Sequence, residues 1–265
     1  MVNTKRVAIV AGGAMGYKTG GSSIGGAISI RLAKDGFRVV VVDSGEMGNR
    51  TVELIKNAGG EGMFIKADVT VTEEVQKIIK STKESFGELS CLVNCVARYG
   101  VEMSKNIVDI TEEEWKKTLD VNLNGYFKMS KYSLPLMLES GGGTVINISS
   151  IAAFNALPNF SVYSVSKAAI NALTRTIAVD FAPKIRANAI CPGFVKIANS
   201  ENNRTSEELE KWYLEISKQY PMKRVCEVEE IAGVASFLAS VDSSYVNGQT
   251  IVIDGGKMIA DSHDF

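Results

Sequence analysis

The sequence predicts an α/β fold: one doubly wound parallel sheet of about seven strands with helices on both faces. Three observations predict it. Short runs rich in Val and Ile alternate with longer, helix-like segments along the whole chain. Those runs are continuously apolar rather than alternating, as parallel strands covered on both faces are. The first run ends in glycines and the second in an aspartate, so each stops where a turn can begin.

Taken in order, strands are expected at Arg6–Ala11, Arg38–Asp43, Gly62–Ala67, Leu89–Val96, Thr144–Ile148, Arg186–Cys191 and Thr250–Ile253. Val7-Ala-Ile-Val-Ala11 and Val39-Val-Val-Val-Asp43 set the pattern, with β-branched residues at successive positions. Helices are expected between them at Ile24–Asp35, Met47–Asn57, Thr72–Phe86, Glu112–Leu138, Ser164–Phe181 and Val228–Ala239, with Ser22 or Ser23 capping the first. The β-α-β-α order implies right-handed crossovers. No linker, repeat or low-complexity tract divides the chain, so residues 1–265 are read as a single domain. One region breaks the pattern. Lys196–Pro221 is a long polar, then amphipathic stretch between the sixth strand and the last helix, and it is read as a lid over a site. Leu209, Trp212, Tyr213 and Ile216 are spaced for one helix face there.

Composition removes several classes. A net charge of −1 and a pI near 6.0 give no footprint for nucleic acid. There is no basic amphipathic stretch for a membrane surface, and the first apolar run is too short for a signal sequence or a span, so a cytoplasmic location is expected. Cys91, Cys95, Cys191 and Cys226 fit no metal framework and are expected as reduced thiols, with Cys91 and Cys95 the pair to test for redox chemistry. The single histidine, His263, argues against a Ser-His-Asp hydrolase or a histidine metal site, and no metal is expected.

The chemistry is concentrated in three residues. Tyr163 and Lys167 lie one helical turn apart, on one face, and Ser150 lies thirteen residues before the tyrosine. A phenol is a poor base near neutrality, because its ordinary pKa is about 10. A neighbouring ammonium favours the phenolate, and a serine hydroxyl can hold a substrate oxygen. The set suits proton transfer at an alcohol or carbonyl. Upstream, Gly12 opens a glycine-rich segment that runs to Ser23, Ile24 and Gly25 at the first helix start, where backbone N–H groups can meet a pyrophosphate. Lys18 lies within it, either reaching a phosphate or solvated. Asp43 falls about 20 residues past the glycines, where a carboxylate accepts hydrogen bonds from an adenosine ribose and repels a 2′-phosphate, which favours NAD over NADP.

With these pieces in place, the chain resembles the short-chain dehydrogenase/reductase family over essentially its whole length, with a Rossmann-like sheet. Ser23-Ile-Gly-Gly-Ala27 resembles the family's helix start, and Asp68-Val69 its adenine-contacting pair. Leu92-Val-Asn94 resembles the start of its Asn-Asn-Ala-Gly strand, and Asp120-Val-Asn-Leu-Asn-Gly125 places its catalytic asparagine at Asn122. Val145-Ile-Asn-Ile-Ser-Ser150 ends in its serine, and Tyr163-Ser-Val-Ser-Lys167 is its signature pair. Asn188-Ala-Ile-Cys-Pro-Gly-Phe-Val195 and Asn247–Gly256 resemble its C-terminal blocks, which brings Pro192 and Val195 to the cofactor. The resemblance implies that Tyr163 is the acid/base and that Lys167 lowers its pKa and holds the nicotinamide ribose. It further implies that Ser150 binds the substrate oxygen, that Asn122 anchors a water, and that the Val195 backbone serves the nicotinamide amide.

Three departures stand out. Ten residues separate Gly12 from Ser23, about seven more than the family has, and serine replaces the second glycine; an alternative register uses Gly12 and Gly16. Asn94-Cys-Val-Ala97 replaces Asn-Asn-Ala-Gly, followed by Arg98, which either meets an acidic substrate or is simply solvated. Ile197 stands where a threonine often does. The expected function is an NAD-dependent oxidoreductase interconverting an alcohol and a ketone of sugar, polyol, hydroxy acid or 3-oxoacyl type. Enoyl-thioester reduction and a non-catalytic dinucleotide sensor are the alternatives. A homotetramer or homodimer is expected by resemblance, with Ala168, Ala169 and Ala172 placed for close helix contact or against the sheet.

Overall fold

In the computed structural model, which describes residues 6–16, 22–99, 104–198 and 204–260, seven parallel strands form one sheet in the order β3-β2-β1-β4-β5-β6-β7. The strands are β1 (Val7–Ala11), β2 (Arg38–Asp43), β3 (Glu61–Lys66), β4 (Cys91–Asn94), β5 (Gly143–Ile148), β6 (Ile185–Pro192) and β7 (Thr250–Ile253). The chain builds outward from β1 to β3, then crosses to β4 on the other side of β1 and builds outward again. That reversal leaves a crevice beyond the carboxyl ends of β1 and β4, where ligands bind in open sheets of this kind.

The continuous apolar runs have the predicted cause. Val7, Ile9 and Ala11 of β1 pack on one face with Val75, Ile78, Met129, Met137 and Ile177. Ala8 and Val10 pack on the other with Ile28, Leu32, Ile55, Ile231 and Leu238. Successive strand residues point to opposite faces, and helices cover both. Helices α1 (Ile24–Lys34), α2 (Gly48–Asn57) and α8 (Val228–Ala239) lie on one side; α3 (Thr72–Phe86), α5 (Gly125–Glu139) and α6 (Ser161–Asp180) lie on the other.

One sequence expectation is corrected. The single helix expected over Glu112–Leu138 is α4 (Glu112–Leu119) and α5, joined by a π-helical turn at Asp120–Asn124. The Gly125 N–H bonds to the Asp120 carbonyl five residues back, so one residue is added to the turn without breaking the hydrophobic stripe. A periodicity argument does not register such an insertion. Within Lys196–Pro221, residues 206–217 form a helix, α7 (Ser206–Ser217), started by a capping box between Thr205 and Glu208. Its half-buried positions include Leu209, Trp212, Tyr213 and Ile216, the face the spacing indicated. Much of the polar segment before it, Asn199 to Asn203, lies outside the described residues, as do Lys18 and Gly100–Met103.

The tightest packing is where β1 hands over to α1. Gly12 turns with φ +77° beside the Cys95–Val96 peptide, and a Cβ there would stand 2.8 Å from it. A Cβ on Gly25 would stand 1.8 Å from the Gly12 carbonyl oxygen. Gly25→Ala is therefore expected to lower stability by about 2–3 kcal/mol, the upper range for overpacking. Gly233→Ala, inside α8 with its nearest neighbour at 3.9 Å, should raise it by about 0.5–1 kcal/mol through helix propensity. Urea unfolding midpoints of the two variants check both signs.

Candidate active site

Ser150, Tyr163 and Lys167 come together at the carboxyl end of β5. Ser150 follows the strand in extended conformation, and its hydroxyl caps a single 3-10 turn at Ile151–Ala153, accepting from the Ala152 N–H at 3.1 Å. Tyr163 is in the first turn of α6, and its phenol is hydrogen-bonded by the Ser150 hydroxyl. Lys167, one turn on, is 2% exposed; its ammonium donates to the Ile148 carbonyl at 2.9 Å and lies 5.6 Å from the Tyr163 ring centre. The Ser149 hydroxyl donates to the Lys167 carbonyl at 2.9 Å, which ties α6 to the strand end at the same point.

The electrostatics differ from the sequence expectation. Burial pushes the Tyr163 phenol up to about 12, with the Ser150 hydrogen bond opposing it. Burial also pulls Lys167 down from 10.5 to about 8, against the weaker pull of Cys95 and Cys191. Desolvation disfavours whichever form is charged, so it moves an acid up and an amine down. Burial is the larger influence on the phenol in this state, and the Ser150 hydrogen bond is what opposes it.

Asn122 is fully buried in the π-helical turn. Its side-chain oxygen accepts from the Arg98 N–H at 2.6 Å, and its amide donates to the Arg98 carbonyl at 3.2 Å and the Ser166 hydroxyl at 3.3 Å. Ser166 in turn donates to the Tyr163 carbonyl at 2.7 Å. The Asn122 side chain thus clamps the segment after β4 to α6, and any water anchored by this residue would fall to its backbone. Arg98 itself is half-buried, with its Nε enclosed and unpartnered. Asn94 is also enclosed: it donates to Asn147 at 2.9 Å, and Asn147 donates to Thr174 at 2.9 Å, forming a polar chain from β4 through β5 to α6.

The candidates for cofactor binding lie at or just beyond strand ends and at the start of α1. Gly12 makes the turn after β1, and Ser23 caps α1, accepting from the Gly26 N–H at 2.9 Å and donating to the Ala14 carbonyl at 2.5 Å. The helix therefore starts at Ile24 in the Ser23-Ile24-Gly25 register, not at Gly16. Asp43 ends β2 and accepts from the Gly45 N–H at 3.0 Å; burial raises its pKa, with N–H groups of Gly45, Ala14 and Ser44 pulling the other way. Asp68 is exposed beyond β3, while Val69 is buried against Gly125. Pro192 ends β6. Val195 pairs with Cys226 through the Lys196 N–H and the Phe194 carbonyl, so the N–H and carbonyl of Val195 face away from that partner. A close-packed glycine turn, a capped helix start, a strand-end carboxylate and an outward-facing backbone amide and carbonyl are a donor and acceptor set that fits a dinucleotide.

Sequence reasoning missed Tyr126 and the contacts within two aromatic groups. Tyr99 and Phe160 pack on Tyr163, with ring centres 5.1 and 6.3 Å from it. Trp212 and Tyr213 of α7 pack on Phe194 at 5.1 and 6.4 Å, and the Arg204 guanidinium lies 4.1 Å over Trp212. The helix face carrying Trp212 was legible; its partner on the segment after β6 was not, because the pairing is tertiary.

Comparison with known proteins agrees with this geometry. A family model described as "Enoyl-(Acyl carrier protein) reductase" matches residues 19–257. An oxidoreductase of Thermotoga maritima is 41% identical over 89% of this chain and 94% of its own length. The chain belongs to the short-chain dehydrogenase/reductase family. Glucose 1-dehydrogenase 2 of Bacillus subtilis is 35% identical over 97% of this chain and 96% of its own. The ligand-free aldohexose dehydrogenase of Thermoplasma acidophilum superposes with a TM-score of 0.87 at 30% identity, covering 98% and 97% of the two chains. The protein is accordingly an oxidoreductase of a family that uses nicotinamide dinucleotides.

The buried lysine makes a testable contribution to stability. Below pH 8 the folded protein holds an ammonium that burial disfavours; the unfolded chain keeps its proton up to about 10.5. The unfolded state thus binds more protons between those values, and stability from this group rises with pH across that window. Lys167→Met removes the group, so its gain over the parent should be largest below pH 8 and should shrink by about 3 kcal/mol by pH 10.5, the linkage value of the shift. Parallel urea titrations of both proteins from pH 7 to 10.5 measure the difference.

Proposed function

We propose that the protein is an NAD-dependent oxidoreductase that interconverts an alcohol and a ketone. The observation that carries this reading is the meeting of the Tyr163 phenol, the Ser150 hydroxyl and the Lys167 ammonium at the edge of the crevice. A phenol near 12 is protonated at neutral pH, so in the reducing direction Tyr163 is ready to give its proton to the developing alkoxide. In the oxidising direction it takes that proton, and Ser150 and Lys167 are the groups that stabilise the phenolate. Ser150 also holds the substrate oxygen as charge grows on it. The nicotinamide, when bound, supplies the hydride acceptor or donor. Gly12, Ser23 and Ile24 would border its pyrophosphate, Asp43 the adenosine ribose, Asp68 and Val69 the adenine, and Asn94, Pro192 and Val195 the nicotinamide half. Asn122 positions rather than touches, through Arg98 and Ser166.

The substrate reading is narrower than an alcohol in general. Two relatives carry the names of sugar dehydrogenases, which puts aldohexoses and polyols first in a panel that also holds hydroxy acids and 3-oxoacyl thioesters. The half-buried Arg98, whose Nε is unpartnered, is the cation that would separate acids from neutral substrates. Helix α7, seated through Trp212 and Tyr213 on Phe194, is the lid. The description of the matching family model favours a second reading, enoyl-thioester reduction. The one-turn spacing of Tyr163 and Lys167 weighs against it, and a crotonyl-thioester assay separates the two. The retained Ser150, Tyr163 and Lys167 weigh against a non-catalytic sensor.

A cytoplasmic tetramer completes the proposal. No helix among the described residues is long and apolar enough to cross a membrane. Phe127 of α5 and Val165, Ala168, Ala172 and Val179 of α6 are exposed, so Ala168 and Ala172 face outward, where a second copy can meet them.

Two outcomes test the chemistry. Tyr163→Phe should reduce turnover at least about a hundredfold with NAD affinity nearly unchanged; turnover near the parent value would sink the assignment. The kcat/KM for NAD should exceed that for NADP by about tenfold or more, and Asp43→Ala should narrow the gap, as steady-state kinetics with both cofactors will show.

A further inference from the structure

Tyr126 is among the largest fully buried side chains, on α5 directly after the π-helical turn, and the reaction as described gives it no part. Its hydroxyl oxygen lies 3.0 Å from the Ile148 carbonyl and 3.1 Å from the Val96 carbonyl. The first of these is the carbonyl that receives the Lys167 ammonium at 2.9 Å. The second belongs to the peptide stretch on which Gly12 closes. The Tyr126 ring centre is 5.6 Å from the Lys167 nitrogen, the same separation as that of Tyr163.

We infer that Tyr126 is a positioning residue for the catalytic lysine: its ring attracts the ammonium at the same separation as the Tyr163 ring, and its hydroxyl fixes the carbonyl to which that ammonium is bonded. The inference rests on the dehydrogenase reading for its meaning in turnover but not for its geometry. A buried ammonium needs replacements for water, and an aromatic face within about 6 Å attracts a cation through its quadrupole. The titratable groups facing Lys167 bring it no negative charge. Cys95, after β4, and Cys191, in β6, are held protonated by burial, and Tyr163 is a neutral phenol at the same pH. No carboxylate pairs with Lys167 among the described residues. The hydroxyl has one proton, shared between the Ile148 carbonyl that receives the lysine and the Val96 carbonyl near the turn at Gly12.

The test titrates Lys167 directly. The free protein is labelled with 13Cε-lysine, and its resonance is assigned by loss in Lys167→Arg. Tyr126→Leu removes ring and hydroxyl and should lower the Lys167 midpoint by at least about half a pH unit, a threefold loss of proton affinity. Tyr126→Phe keeps the ring and should leave the midpoint at or above that of the parent, because the Ile148 carbonyl loses a competing donor. Replacing Tyr126 by phenylalanine analogues of increasing fluorination keeps the shape, weakens the quadrupole and should lower the midpoint stepwise. The fluorinated series carries the test if the leucine variant does not fold. A midpoint that holds within about 0.2 pH units across the fluorinated set overturns the inference. A parent protein that turns over no substrate of the panel would instead overturn the dehydrogenase reading and leave this titration standing.

Discussion

Keeping a charged amine inside the protein is the constraint to which the rest of the site answers. Lys167 is almost wholly enclosed, yet it must carry its proton near neutrality if it is to act on Tyr163. Water is replaced by one carbonyl at the end of β5 and by two aromatic faces. That carbonyl is available because the strand stops at Ile148, where the sheet no longer uses it. The lysine reaches it because α6 is tied to the strand end by Ser149. Each restraint serves to make a single enclosed charge tolerable, and burial shifts the amine downward without neutralising it.

Much of this was legible in the sequence. The β-α order, the parallel sheet and its two covered faces followed from runs such as Val39–Val42, whose neighbours divide between the two sides of the sheet. The meeting of Ser150, Tyr163 and Lys167 followed from one helical turn and one strand end. The helix start at Ile24 followed from the match around Ser23. What did not follow is set by contacts between distant segments. The π-helical turn leaves no mark on hydrophobic period. The clamp of Asn122 on Arg98 joins residues 24 positions apart, and its direction depends on how the segment after β4 turns. The balance between burial and the Ser150 hydrogen bond at Tyr163 needs the packed interior, because a one-turn spacing says nothing of how dry the site is.

The three departures from the family pattern have structural answers of different kinds. Val96, in place of a smaller residue, packs half-buried against the core on the side of α3, α5 and α6. Ile197 packs against the core on the side of α1 and α8, so an apolar residue suits that position. Ser23, in place of glycine, caps α1, a role that glycine cannot fill with a side chain.

The base of the glycine-rich segment is closed by two short links. The Ser23 hydroxyl bonds the Ala14 carbonyl, and the Ala198 N–H bonds the Ser22 carbonyl at 2.8 Å. With Ala14 and Ser23 held together in this way, a change in the number of residues between them need not move the turn after β1 or the start of α1. Lengthening a loop whose ends are already fixed adds only a logarithmic entropy term, about 0.6 kcal/mol per doubling. In evolutionary terms, such a closure turns the segment into an interchangeable insert, free to lengthen, shorten or change composition while the catalytic frame beneath it is inherited intact.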